Sequence, residues 1–456
     1  MLSIGNCVET LAKKYHNSFG LPFRNHLSKV DIQSVVRTSN ISWRERVFSP
    51  SVTIWAMLSQ VLDSDRACRL VSARVAAYLV SEGKPACSDD PSAYCQARKR
   101  LPADALPSLS RLIGNRIEEE TSEIQLWFGR RVRIVDGSSV SMPDTLENQR
   151  EFPQPSEQSP GCGFPVASIA TIFSWSTGIV LDASMGSLHV HERTLFHRIW
   201  DCLKPNDILM SDRGFCSYAD IAVLKKRGID IVMRSRKKRA DFRRGKCLAK
   251  RDHLVTWQKP KQRPKWLSEE EFSAIPDEME LREVQMGIDI PGFRTRKVTV
   301  VTTLLDPISY PKSVLMDLYR QRWFCEIDLR HLKTSLKMDV LRSHTPEIIR
   351  KEFWAHILVY NLIRGVMNTA AKKSGLAIRS LSFKGTIQRL TAIIPNLNHS
   401  LAYIRENLLI HLIKRIVADI LPDRPNRVEP RARKRRPKSY KLLTLPRHEA
   451  RRRLVG

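Results

Sequence analysis

Three apolar, β-branched runs joined by short polar breaks, then alternating helix and strand patterns, predict an α/β protein with an RNase H-like mixed-sheet core. Helical apolar spacing before and after that stretch predicts flanking helical N- and C-terminal regions. A Pro- and charge-rich interval inside it predicts a β-rich insertion. Two acidic residues, Asp136 and Asp212, stand at the ends of strand-like runs that such a sheet can place side by side.

The elements follow in chain order. Up to about residue 128, "VTIWAMLSQVLD" and "RLVSARVAAYLV" carry helical apolar spacing, with Pro, Ser and Asp as breaks between segments. "PSAYCQARKRLP" and "LPSLSRLIGNRIEEE" predict two further short helices. This region reads equally as a DNA-binding module or as a helical cap on the core. The period changes at "VRIVD", a strand followed by a loop, and "VASIATIFSW" and "GIVLDASMG" continue as hairpin-linked strands. A helix over "HERTLFHRIWDCL" follows, then strand "DILMSD", helix "YADIAVLKKRG" and strand "DIVMRS". "RKVTVVTTLLD" restores a core strand after the insertion, and a helix begins near Ser313, after the break in "DPISYPK". Residues 346 to 417 are helical again, and the final 35 or so residues are rich in Pro and Arg, a composition for an extended or disordered segment.

Composition narrows the partners. A net charge of +29, with 76 Lys and Arg against 47 Asp and Glu, implies a polyanion, most simply nucleic acid. Nine scattered cysteines without a Cys-x2-Cys pair argue against a zinc finger and against a disulfide framework, and fit a reducing cytoplasm. The opening "MLSIGNCVETLAKKYHNSFG" lacks the apolar core of a signal peptide, and no apolar run of 18 residues predicts a membrane span. His189 and His191 read as surface or capping residues at a helix start rather than as a metal-binding pair.

The residues that carry chemistry centre on Glu326. Tyr319, Arg322, Glu326 and Lys333 are spaced so that, on one continuous helix, all four share a narrow stripe. A carboxylate flanked by cations and a phenol suits a divalent-metal ligand beside a gripped phosphate backbone. Arg322 offers a fork for two phosphate oxygens, Lys333 a point charge and Tyr319 a hydroxyl. With Asp136 and Asp212, Glu326 completes a catalytic and metal-holding set of three carboxylates. Two Mg2+ ions about 3.5–4 Å apart, with Mn2+ as a substitute, would activate the attacking oxygen and relieve charge on the leaving one. Without metal, three converging carboxylates repel one another.

Three ordered blocks carry a family resemblance. "VRIVDGSSV", "DILMSDRGF" and "LYRQRWFCEIDLRHLKTSL" resemble the catalytic blocks of DDE transposases, and the Tyr-Arg-Glu-Lys signature is similar to that of the insertion-sequence-four family of bacterial cut-and-paste elements. "ERVFSPSVTIWAMLSQVLDSDRACRLV" and the tail "NRVEPRARKRRPKSYKLLTLPR" resemble that family too, so the likeness spans roughly residues 44 to 448.

The resemblance implies metal-dependent DNA cleavage at terminal inverted repeats and strand transfer into target DNA. The implied partners are double-stranded DNA and a second copy of the chain in a synaptic dimer, with no membrane. The setting is a bacterial cytoplasm, nucleoid-associated when bound to DNA. It also implies a flipped base stacked on an indole, with Trp257 and Trp266 both candidates. The domain reading is a helical N-terminal region over 1–128, a catalytic core over 129–235 and 298–345, an insertion over 236–297, a helical region over 346–420 and a basic tail over 421–456. Two rivals remain, an inactive or domesticated DNA-binding relative and an RNase H-like nuclease without strand transfer.

Overall fold

The computed structural model describes residues 23, 26–38, 46–81, 83, 85–236, 240–287, 297–399, 402–422 and 441–455. Most of the basic tail therefore lies outside the described residues. Nine strands form one mixed sheet in the order β3-β2-β1-β4-β5-β9-β8-β7-β6. β1 (Val132–Ser141), β2 (Val166–Ser174) and β3 (Val180–Ser187) are an antiparallel meander, whereas β4 (Ile208–Ser211) and β5 (Asp230–Arg234) run parallel to β1. This 3-2-1-4-5 order with β2 reversed is the RNase H-like arrangement expected from the strand pattern.

The interval 236–297 is β-rich, as its composition suggests, and its strands extend the core sheet. β6 (Lys246–Ala249), β7 (Asp252–Gln258) and β8 (Glu278–Gly287) join through β9 (Lys297–Thr302), which lies antiparallel to β5. Arg282 and Asp252, both buried, pair across β7 and β8 with Nη2 2.6 Å from Oδ2, and Arg282 Nη1 also donates to Tyr310 O at 2.7 Å. That anchor fixes the added strands to the chain entering the Glu326 region.

The N-terminal helices are α1 (Lys29–Arg37), α2 (Pro50–Leu62), α3 (Cys68–Ser81), α4 (Ser92–Arg100) and α5 (Ala105–Glu119). Each of the four segments expected to be helical is so. α2 is buried all round over Ser51–Leu58 and so is interior rather than a surface helix. α5 packs on β3 and on the 29-residue α12 (Pro346–Ser374) through buried Leu106, Leu109, Ile113 and Ile117. Each such fully buried aliphatic side chain contributes about 1.5–3 kcal/mol. β3 is an edge strand, and α12 covers it: Asn361 Oδ1 accepts from Val180 N–H and Asn361 Nδ2 donates to Val180 O, both at 2.8 Å. α12 ends at Gly375, whose φ of 67° is the left-handed cap that glycine adopts freely.

The intervening helices are α6 (Leu146–Glu151), α7 (Glu192–His197), α8 (Tyr218–Lys226), α9 (Glu269–Ser273), α10 (Lys312–Arg320) and α11 (Trp323–Arg330). After α12 come α13 (Phe383–His399), α14 (Ala402–Val417) and α15 (Arg447–Val455). No helix among the described residues is long and apolar enough to cross a membrane. The eight described cysteines are free thiols.

Two local expectations are corrected. The chain after "VRIVD" does not turn into a loop: β1 runs on to Ser141, because β2 supplies backbone partners from Arg133↔Ser174 through Ser141↔Val166. Nor is the helix bearing the four-residue signature continuous. α10 stops at Arg320 and α11 starts at Trp323, with Arg322 N–H donating to Tyr319 O at 3.1 Å and Cys325 N–H to Arg322 O at 3.1 Å. These i→i−3 bonds tighten the turn, and Trp175 Nε1 braces it by donating to Gln321 Oε1 at 3.1 Å. α11 then widens into a π turn over His331–Ser335, closed by Leu336 N–H on His331 O at 3.0 Å.

Candidate active site

The two aspartates lie just beyond a shared register. β1 and β4 are parallel and paired as far as Ile134 opposite Met210, and Asp136 and Asp212 each come two residues further along, near enough for the Asp212 charge to act on Asp136. This is the carboxyl end of neighbouring parallel strands, where open α/β sheets place their ligands. Asp136 is inside β1 rather than at its end, but β4 ceases to flank β1 there, which opens the cleft.

Asp136 is held from three directions. Its Oδ1 accepts from Gly137 N–H at 2.9 Å, and its Oδ2 accepts from the Cys325 thiol at 3.1 Å and lies 3.5 Å from Arg322 Nη1. Burial nevertheless pushes its pKa up, against Cys325, Arg322 and Gly137, and the Asp212 charge pushes the same way. Asp212 follows β4 directly, and its Oδ1 accepts from Gly214 N–H at 2.7 Å. Burial and the Asp136 carboxylate raise the buried Cys325 thiol far above its ordinary range, so it is a neutral donor.

α11 packs on β1 and brings Glu326 to the cleft. Its Oε1 accepts from Arg322 Nη2 at 2.7 Å, so one guanidinium spans Asp136 and Glu326. Burial weighs against the charged Arg322 guanidinium, and the Asp136 and Glu326 carboxylates beside it hold it charged. The π turn directs Lys333 back to β1, where its Nζ donates to Ser138 Oγ at 3.0 Å. Tyr319 is buried, at 8% exposure, and burial raises its pKa to about 12. It is withdrawn from solvent and interacts with Arg322.

The platform beneath α11 is an ion cluster. Fully buried Asp328 takes Arg364 through Oδ1 at 2.5 Å and Arg379 through Oδ2 at 3.1 Å, and Arg379 also donates to Trp175 O and Ser174 O at the end of β2. Nothing local in the sequence marks Asp328 as buried, because its partners Arg364 and Arg379 come from α12 and the segment after it.

The donor chemistry of Asp136, Asp212 and Glu326 fits hard divalent cations, all three being carboxylates. Among the described residues, however, no three His, Cys, Asp or Glu side chains are gathered closely enough to hold an ion by themselves. Glu326 is instead paired with Arg322.

Sequence reading missed Cys325, Ser138 and Glu192. The last heads α7, beside Gly137, and partial burial and then the Asp136 and Asp212 charges raise its pKa. No motif flagged it, although its place just after the third strand was a usable signal. His191 is the N-cap of α7, accepting from Arg193 N–H through Nδ1 at 3.1 Å, as its sequence position suggested. Neither candidate stacking indole is a free platform. Trp257 donates to Glu283 Oε1 at 2.9 Å, and Trp266 is wedged between His197 and Trp200, with ring centroids 4.0 and 5.3 Å away. Trp323, the first residue of α11, is 44% exposed.

Comparison with known proteins agrees with the three blocks. A family model described as "Transposase DDE domain" matches residues 127–362, more than half of the chain. "Transposase InsG for insertion sequence element IS4" of Escherichia coli (strain K12) is 25% identical over 425 residues, covering 89% of this chain and 90% of that protein. A solved structure, "Cryo-EM structure of piggyBac transposase synaptic complex with hairpin DNA (SNHP)", aligns over 88% of this chain and 85% of that one at 10% identity and a TM-score of 0.42. With the three blocks falling within the matched residues, the chain belongs to the DDE transposases, enzymes of DNA transposition.

Proposed function

We propose that this transposase cuts DNA at the terminal inverted repeats of its own element and joins the freed ends to target DNA, with Asp136, Asp212 and Glu326 as its catalytic carboxylates. The observation that carries the reading is that Asp136 and Asp212 each follow the last paired residues of β1 and β4 by two positions, with Glu326 tied to Asp136 through Arg322. The three carboxylates would hold two Mg2+ ions, or Mn2+ in their place, which supply an activated attacking oxygen and charge relief at the leaving oxygen.

The chain's own residues then have distinct tasks. Gly137 N–H and the Cys325 thiol fix the rotamer of Asp136, and Gly214 N–H that of Asp212. Arg322 neutralises Asp136 and Glu326 while the cleft is empty of phosphate, and its fork suits a phosphodiester that competes for it. Lys333, parked on Ser138, adds a second cation to the path of the backbone. Tyr319 orients Arg322 from behind. Cleavage and joining need two ends, so the working unit is a homodimer on paired DNA ends, in the cytoplasm and on the nucleoid of a bacterial cell. The helical, core, insertion and tail segments named from sequence are proposed as its domains.

The test is cleavage of a labelled duplex bearing the element's end, with Mg2+ or Mn2+, beside a gel shift in EDTA. Asp136→Ala, Asp212→Ala and Glu326→Ala should each abolish cleavage and the joining of precut ends, and retain specific binding. Cleavage that survives in one variant removes that residue from the site. Cleavage by the wild type without joining of precut ends would make the protein a nuclease and overturn the strand-transfer reading.

A further inference from the structure

We propose that Glu192 is a fourth carboxylate of the catalytic centre, acting with Asp136 and Asp212 on a divalent cation. The proposal rests on the reading of Asp136 and Asp212 as metal-holding residues and extends it to a side chain outside the three sequence blocks.

The position comes from topology. β3 is separated from β1 by β2, and the chain leaving β3 enters α7, which packs on both β2 and β3. His191 caps α7 and Leu195 and Phe196 bury its far side, so the helix and its first residue are fixed in place. Glu192 thereby comes to lie over β1 at Gly137, the residue next to Asp136. A Cβ built on Gly137 would stand 2.5 Å from both Cδ and Oε1 of Glu192, and 2.9 Å from Oε2. The missing side chain at 137 is the space that the Glu192 carboxylate fills. Position 137 is glycine here for close approach, and not for backbone freedom.

The charge balance singles out the same residue. Glu326 already has a cation, Arg322 at 2.7 Å. Among the described residues the Glu192 side chain has no hydrogen bond and no ion pair. The nearest basic groups of its own helix turn away to Asp220, Arg193 at 3.7 Å and His197 at 2.8 Å. An ionised carboxylate offers only acceptors, and beside Asp136 and Asp212 it meets like charge. Such a group lowers its free energy by sharing a cation with them. Its exposure on the open side of the cleft leaves room for that cation to enter.

Two variants of the full chain test this by different routes. Glu192→Gln keeps the size and removes the charge. Gly137→Ala keeps the charge and drives the carboxylate out of its place, because the flexible end of Glu192 is what must yield. Binding of Mn2+ alone is read from the loss of the free-ion paramagnetic resonance signal, and the Mn2+ requirement from half-maximal cleavage of an end-bearing duplex. Both variants should need about tenfold more Mn2+ in both measurements, with melting by circular dichroism no lower than wild type for Glu192→Gln. Wild-type Mn2+ affinity and requirement in both variants overturns the proposal. If Glu192→Gln does not fold, Gly137→Ala decides. Asp136→Ala and Asp212→Ala run in parallel: if they too bind Mn2+ and cleave normally, the reading of the site fails, and if they fail while the Glu192 and Gly137 variants behave as wild type, only the fourth carboxylate is lost.

Discussion

The Arg322 guanidinium donates to Glu326 Oε1 across 2.7 Å while its other terminal nitrogen lies 3.5 Å from Asp136 Oδ2. One cation thus holds two carboxylates of the proposed site. We propose two roles for this arginine, counter-ion without metal and phosphate ligand with DNA. Arg322→Ala should therefore lower cleavage and reduce the salt slope of DNA binding by about one unit. Arg322→Lys should not restore cleavage, because a point charge cannot bridge two carboxylates as a fork does. An unchanged salt slope in Arg322→Ala would confine Arg322 to an intramolecular role.

Asp136 is a stability liability without metal. Its folded-state pKa is raised by burial above the ordinary carboxylate value of 3.8. The sign follows: a raised group favours folding while protonated, below its ordinary value, and that contribution is lost as pH rises through the raised one. At neutral pH the ionised form weighs against the fold. Asp136→Asn should raise the melting temperature in EDTA at pH 7, and Mn2+ should stabilise the wild type more than the variant. A lower melting temperature for the variant in EDTA would show that the Cys325 and Arg322 contacts outweigh burial.

His331 works in the opposite sense. Burial and the Arg364 charge depress its pKa to about 3, and its ring stacks on Phe383 at a centroid distance of 4.5 Å. The neutral ring stabilises the π turn above the ordinary value of 6.5, and that contribution is lost as pH falls from 6.5 towards about 3. His331→Gln should flatten the fall of melting temperature over that window. Equal slopes for variant and wild type would mean that other groups govern the acid transition.

The Asp328 cluster supplies a structural control. Removing one member of a buried ion pair leaves the others unpaired, at a cost of about 3–5 kcal/mol. Asp328→Ala should strip Arg364 and Arg379 of their partner, lower the melting temperature steeply and disable cleavage through α11. Asp328→Asn should recover part of the stability. A melting temperature within a degree or two of wild type for Asp328→Ala would exclude this platform role.

What the sequence disclosed depended on range. Strand period and order exposed the β1–β5 core, because alternation and β-branching are local. Asp136, Asp212 and Glu326 stand out as candidates because each sits inside a short local pattern. The breaks in the helix from Tyr319 to Lys333 were not legible, because the tightened turn at Gln321–Arg322 and the π turn after Arg330 depend on Trp175 and on packing beneath α11. Glu192 and Cys325 escaped for the same reason: their contacts with Gly137 and Asp136 join segments far apart in the chain.

The N-terminal helices can be tested without deleting them. Removing residues 1 to 120 would strip α5 and its buried Leu106, Leu109, Ile113 and Ile117 from α12, and would remove α4, whose Arg98 and Lys99 carbonyls take the buried Lys351 ammonium at 3.0 and 2.9 Å. Such a truncation should fail to fold, and its loss of DNA binding would say nothing about recognition. The informative change is on the outer face of α4, where Lys99 and Arg100 are exposed and the inner face is fixed by Tyr94 and Ala97. A double Lys99→Ala, Arg100→Ala variant should still fold, which its melting curve checks. If the region contacts DNA, each lost phosphate contact lowers the salt slope by about 0.9, so the pair should lower it by roughly two units and weaken end binding. We expect that loss, since both residues are exposed and the Lys99 carbonyl is held by Lys351. A wild-type slope and affinity would make the region a helical cap and move end recognition to other basic surfaces of the chain.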